Sequence, residues 1–238
     1  MKRKGFKGIL LLLSMLFALT GCSVSEATQH GMAVDTIQTE DVLLRVDFLN
    51  VGQADCALLS TKGHYMVIDG GNNGDADTIL SYLEGQGVEK LDAVVGTHPH
   101  EDHIGSLDAI INHFDVDAVY MPKIMHTSKT FEDVLDAVAN KGLKIKSPSP
   151  GDTIDFNGLE IEVLGPQREY KDFNNNSIVL KVNAGETAFL FTGDAEETAE
   201  KDILQADYDL QADVLKVGHH GSSTSSSQAF LQAVKPKY

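Results

Sequence analysis

Cysteine is nearly absent: Cys22 and Cys56 are the two in 238 residues. A multi-bridge disulfide scaffold is therefore excluded, and the fold must be held by a packed core. Positive charge is also scarce, with 19 Lys and Arg against 35 Asp and Glu, a formal charge of −16. A general surface of that sign does not bind a polyanion, because such binding rests on Lys and Arg neutralising phosphates. That argues against a nucleic-acid scaffold role, while leaving nucleic acid open as a substrate handled by metal ions and a few local cations. The one long apolar run, from Gly8 to Ala18, is too short for a comfortable membrane span. No short-period repeat is present.

What is there begins with a processing signal. Lys2, Arg3, Lys4 and Lys7 precede the apolar run, and Leu19-Thr-Gly-Cys22 follows it. A basic stretch, an apolar stretch and small residues at the end read as a secretion signal. The ending resembles a bacterial lipoprotein box, which implies lipidation of Cys22 and an extracytoplasmic protein anchored to the cell membrane; an uncleaved N-terminal anchor is the alternative. Several acyl chains on one residue give stable anchoring where one gives marginal binding. Without residues 1–21 the basic count falls from 19 to 15 and the acidic count stays at 35, a formal charge of −20. With Cys22 so used, Cys56 reads as a small buried apolar residue. The expected organisation is a signal peptide and lipobox over 1–22, a polar tether over 23–41, and one domain over 42–238.

Within that domain, strands are expected at 43–50, 54–60 and 65–68, the last ending at Asp69-Gly-Gly71, with a helix over 75–86. The run 91–97 is almost wholly apolar, as a strand buried on both faces would be. A helix over 104–114, a strand at 118–121, a helix over 130–141 and a short edge strand at 144–147 follow. After a Pro- and Gly-bearing loop at 148–152, strands are expected at 159–164, 177–182, 188–192 and 213–217, with helices over 196–205 and 227–234. Strand-rich and strand-helix stretches in both halves, with no linker, point to two sheets face to face with helices outside. That is an α/β, four-layer αββα sandwich.

The chemistry is concentrated in His98-Pro-His100-Glu-Asp102-His103. Four potential metal ligands in six residues stand at the end of a buried strand, where sites form in α/β sheets. Two histidines two apart on an extended segment point the same way and can share one ion. Asp102 and His103, at the turn into the helix, can serve a second. Imidazoles with carboxylates suit zinc, manganese or iron better than calcium or magnesium.

His-x-His-x-Asp-His resembles the signature of the metallo-β-lactamase superfamily. Phe48-Leu-Asn-Val-Gly-Gln-Ala-Asp55, Met66-Val-Ile-Asp-Gly-Gly71, Leu190-Phe-Thr-Gly-Asp194 and Leu215-Lys-Val-Gly-His-His-Gly-Ser222 are similar to motifs of its ComEC-like branch, typified by a domain attached to the DNA-internalisation channel of competent bacteria. The resemblance implies two divalent metal ions, zinc first and manganese as the alternative. It implies His98, His100, Asp102, His103 and Asp194 as ligands, with Asp194 bridging. The last ligand is His219, which directly follows the strand, or His220; the other would face the substrate, and His220 is the candidate for that catalytic place. Taken alone, Asp194 has a lesser alternative as the cap of the helix that follows. Asp69 orients the histidine loop or merely forms a turn before Gly70, and Asp55 has a similar status. Asn174-Asn-Asn-Ser177 stands where most of the superfamily has a further histidine, which leaves the first ion under-ligated. The family pattern continues beyond Tyr238 with a closing strand and helix, so a shortened fold is expected. His30, His64, His113 and His126 show no ligand spacing and read as surface or packing residues.

The implied activity is hydrolysis by a metal-activated water, with Asp102 and Asp194 holding the ions and orienting the nucleophile. Lys216, Ser222, Asn174 and Ser177 are candidate substrate contacts; for Lys216 an ordinary surface lysine is the other reading, and for the serines a flexible loop. A phosphodiesterase acting on a phosphodiester such as extracellular DNA is the leading expectation. A cell-wall phosphorylcholine esterase, a lactonase, and a non-catalytic metal-bound lipoprotein assisting DNA uptake are the others. No protein partner is evident from the sequence.

Overall fold

The computed structural model describes residues 43–238, so Cys22, the signal and the tether lie outside the described residues. The described residues form thirteen strands and six α-helices. In order they are β1 (Arg45–Phe48), β2 (Ala57–Thr61), β3 (His64–Ile68), α1 (Ala76–Gly85), β4 (Lys90–Leu91), β5 (Ala93–Val95), α2 (Glu101–Ile104), α3 (Leu107–His113), β6 (Asp115–Val116), β7 (Val119–Tyr120), α4 (Lys129–Asn140), β8 (Ile145–Lys146), β9 (Thr153–Phe156), β10 (Leu159–Gly165), β11 (Val179–Ala184), β12 (Thr187–Phe191), α5 (Glu197–Gln205), β13 (Val214–Lys216) and α6 (Gln228–Val234).

Six strands make one sheet in the order β1-β2-β3-β5-β7-β8, and five make a second in the order β13-β12-β11-β10-β9. Alternation of side chains along each strand decides what lies on either face. In β2, Leu58 faces the helices while Ala57 and Leu59 face the other sheet; in β3, Val67 faces outward and Met66 and Ile68 inward. In β11, Val179 packs with α5 residues while Leu180 and Val182 turn to the inter-sheet core. Three apolar layers result. One lies between the first sheet and α1, α3 and α4, one between the sheets, and one between the second sheet and α5 and α6. This is the expected αββα sandwich.

Two local expectations differ. The stretch before β10 holds a further strand, β9, paired antiparallel with β10 from Phe156↔Leu159 onward. Asn157-Gly158 is its hairpin turn, both residues at positive φ. The helix expected over 104–114 begins earlier, at Glu101, and breaks at Gly105-Ser106. Glycine at the break allows a close approach of backbone: a Cβ on Gly105 would stand 2.2 Å from the Asn72 carbonyl carbon. Cys56 is buried in the outer core, as expected of an apolar cysteine.

Candidate metal centre

All the chemistry-bearing residues come from loops at one end of the two sheets. His98 and His100 follow β5, Asp102 and His103 sit in the single turn of α2, Asp194 follows β12, and His219 and His220 follow β13. Asp69 closes β3 at φ 61. Its Oδ1 accepts from the Thr97 amide at 2.7 Å, and its Oδ2 lies 2.8 Å from both the Thr97 hydroxyl and His103 Nδ1. Asp69 therefore both forms the turn and orients the histidine loop.

Two groups of ligand atoms converge. His98, His100 and Asp194 form one; Asp55, His103, Asp194 and His220 form the other, each with its atoms within 4.8 Å of one another. Asp194 belongs to both. In the first, His98 Nε2 and His100 Nδ1 are 3.0 Å apart, and in the second His103 Nε2 and His220 Nε2 are 3.3 Å apart. Asp102 stands at the edge of the second, its Oδ2 3.2 Å from His220 Nε2.

The loop before Asp194 leaves no freedom. A Cβ on Gly193, at φ 51, would meet Ser177 and Thr97 side-chain atoms at 2.9 Å. Ser177 Oγ accepts the Asp194 amide at 3.0 Å.

The electrostatics attract cations. Burial holds the His98 imidazole well below its ordinary value, so it stays a neutral ligand. Burial also opposes charge on His103, but the carboxylates of Asp69 and Asp194 outweigh it and push that imidazole up to about 10. Hydrogen bonds to Asp102 and Asp55 raise His220 to about 9. A cluster that draws imidazoles toward the charged form draws metal ions too, and a metal at Nε2 competes with the proton. Asp194 Oδ1 is buried and accepts no hydrogen bond, an acceptor with two imidazole ligand groups around it. Imidazole and carboxylate donors in this number fit zinc or manganese.

The family model of the metallo-beta-lactamase superfamily matches residues 49–238. The chain belongs to the metallo-beta-lactamase superfamily. ComE operon protein 3 of Bacillus subtilis (strain 168) is 29% identical over 211 residues, covering 81% of this chain and 27% of that protein. Competence protein ComA of Neisseria gonorrhoeae is 31% identical over 192 residues, covering 79% of this chain and 25% of that protein. The chain thus spans about a quarter of the length of the curated relatives it matches. Both are consistent with a ComEC-like metallo-beta-lactamase domain. Among solved structures, the metallo-beta-lactamase fold protein YhfI from Bacillus subtilis superposes with a TM-score of 0.52 at 14% identity, covering 72% of this chain and 69% of that one. Superfamily membership together with the two ligand groups supports a metal-dependent hydrolase.

The structure redistributes some sequence-derived roles. His220, not His219, enters the second ligand group. Both residues adopt left-handed backbone, His219 at φ 47 and His220 at φ 50, and that kinked turn sends their rings in different directions. His219 Nδ1 faces Glu196 Oε1 at 3.1 Å, while its Nε2 stays 3.8 Å from Asp194 Oδ2. Lys216 does not extend freely toward a substrate; its Nζ lies 2.7 Å from Asp55 Oδ2. Ser222 bonds Thr224 Oγ1 at 3.0 Å in the loop beside His219. Asn174 Nδ2 reaches Glu196 Oε1 at 3.5 Å, and its own Oδ1 is buried without a partner. His126, expected as a surface or packing residue, lies near the cluster: its ring is 6.3 Å from that of His100 and 4.6 Å from that of Phe173. Phe173 and Glu196 carried no sequence signal, because one is an aromatic in a polar loop and the other an acid at a helix start.

Proposed function

We propose that this domain is a metal-dependent phosphodiesterase. The observation that carries the reading is the pair of ligand groups sharing Asp194, and the similarity to competence proteins gives it direction. Two divalent ions so held would supply Lewis acidity and an activated water, so that no serine or cysteine nucleophile is required. His98, His100 and Asp194 would hold one ion, and His103, His220 and Asp194 the other, with Asp102 at its edge beside His220. Asp69 keeps the His103 ring in place, and the rings of Phe173 and His126 beside His100 offer faces on which a planar substrate group can stack. A strand of extracellular DNA is one such substrate. Lipidation at Cys22, proposed from the sequence, would place the domain outside the cytoplasm, at the membrane.

The acidic balance favours a second substrate within the same chemistry. A formal charge of −16 repels a polyanion and attracts a cationic group, as in a phosphorylcholine ester. The purified protein, loaded with Zn²⁺ or Mn²⁺, is to be given bis-p-nitrophenyl phosphate, single-stranded DNA, a phosphorylcholine ester and a lactone. Turnover of a phosphodiester that disappears in His100→Ala is expected. A fully metallated protein that turns over none of these would defeat the enzymatic reading and leave a metal-bound lipoprotein; turnover of the lactone alone would reassign the bond.

A further inference from the structure

His103 and His220 bring their Nε2 atoms together at 3.3 Å, and each presents its other nitrogen to a carboxylate. For His103 that partner is Asp69, at 2.8 Å from Nδ1. For His220 it is Asp55, whose Oδ1 lies 3.3 Å from Nδ1. An imidazole that gives its Nδ1 proton to a carboxylate keeps its lone pair on Nε2, the nitrogen aimed at the cluster. The need is greater at His220 than at His103, because His220 sits on left-handed backbone in a kinked turn and no helix aims its ring.

Asp55 is itself held on three sides. Its amide donates to the Asp102 carbonyl at 3.0 Å, and its carbonyl accepts from the Gly71 amide at 2.8 Å. Its Oδ2 meets Lys216 Nζ at 2.7 Å. Asp55 precedes β2 in one sheet and Lys216 ends β13 in the other, so the pair ties the two sheets together directly beneath His220. A nearly buried carboxylate needs such a counter-charge.

We propose that Asp55, clamped by Lys216, is the positioning residue for His220, as Asp69 is for His103. Lys216 then serves the metal centre through Asp55 and does not bind substrate phosphate. The inference rests on the metal-centre reading given above.

The test is metal affinity, measured on the full chain by Zn²⁺ competition with a chromophoric chelator and by the absorption spectrum of the Co²⁺ form. Asp55→Ala is expected to weaken the ion at His103 and His220 by about 10- to 100-fold. Asp55→Asn, whose amide oxygen still accepts the Nδ1 proton, is expected to recover a large part of that loss. Lys216→Met is expected to weaken the same ion severalfold. Thermal melts of the chelated proteins check folding, and if Asp55→Ala does not fold, the other two variants carry the test. Wild-type affinity in Asp55→Ala overturns the inference, as does an Asp55→Asn that falls as far as Ala, which would make Asp55 a direct ligand. A raised KM in Lys216→Met with unchanged metal affinity returns Lys216 to the substrate. If the wild type takes up neither ion, it is the metal-centre reading that has failed.

Discussion

At the scale of single residues, the centre depends on groups that never touch an ion. Ser177 Oγ accepts the amide of Asp194, whose Oδ1 lies 3.1 Å from His103 Nε2 and whose Oδ2 lies 3.7 Å from His98 Nε2. Ser177→Ala leaves that buried N–H unpaired, which costs about 1–3 kcal/mol. The expected result is a lower urea midpoint together with weaker Zn²⁺ binding; unchanged metal affinity would mean that Asp194 is held by other contacts. Gly105 is the sharper case. A methyl there would stand 2.2–2.6 Å from backbone atoms of Asn72 and Asn73, and backbone cannot swing aside as a side chain can. Gly105→Ala is expected to cost about 3 kcal/mol or more, read as loss of folded protein or a large drop in melting temperature. The glycine was visible in the sequence, but the backbone it faces lies more than thirty residues earlier, and only the fold brings the two together.

At the scale of elements, strands and helices with strong periodicity were legible and short ones were not. The αβ alternation from β3 to α4 follows from apolar runs and amphipathic stretches, whose period is a local property. Strands β4 and β6, two residues each and paired only with one another, have no pattern long enough to read. The segment 174–177 shows a structural role that the sequence did not announce. Between Asn174 and Ser177, the candidate substrate contacts, Asn175 Oδ1 accepts the amides of Glu196 at 3.2 Å and Ala199 at 2.9 Å, and so caps α5. Asn175→Ala is expected to destabilise the protein by about 0.5–2 kcal/mol. Denaturant titration checks this, and no change in midpoint would show that the helix start is satisfied otherwise. Because α5 starts three residues after Asp194, the loss of this cap is also expected to loosen the Asp194 carboxylate.

At the scale of the molecule, two expectations follow from ligand linkage and from charge. A ligand that binds only the folded state stabilises it by about 2.7 kcal/mol at a hundredfold excess over its Kd. In a domain of this size that corresponds to a rise of about 5–10 °C in melting temperature. Chelation by EDTA should therefore lower the melting temperature by that amount, and Zn²⁺ or Mn²⁺ should restore it; a melting curve indifferent to both would remove the metal from the folded state. The acidic balance predicts weak retention of duplex DNA at physiological salt, with a shallow salt dependence because few phosphates are neutralised. Gel-shift titration over a salt series checks this, and nanomolar affinity with a steep slope would reveal a basic track that the composition does not suggest.

The sequence by itself determined most of the candidate cluster and the layered architecture. His98, His100, Asp102 and His103 are neighbours in the chain, and the burial of a strand on both faces is written in its own residues. The tertiary structure alone decided which member of the His219-His220 pair enters the cluster, and that Lys216 turns to Asp55. Those choices depend on the rotation of a kinked turn and on contacts between opposite sheets, and residues so far apart along the chain carry no record of such contacts in their spacing.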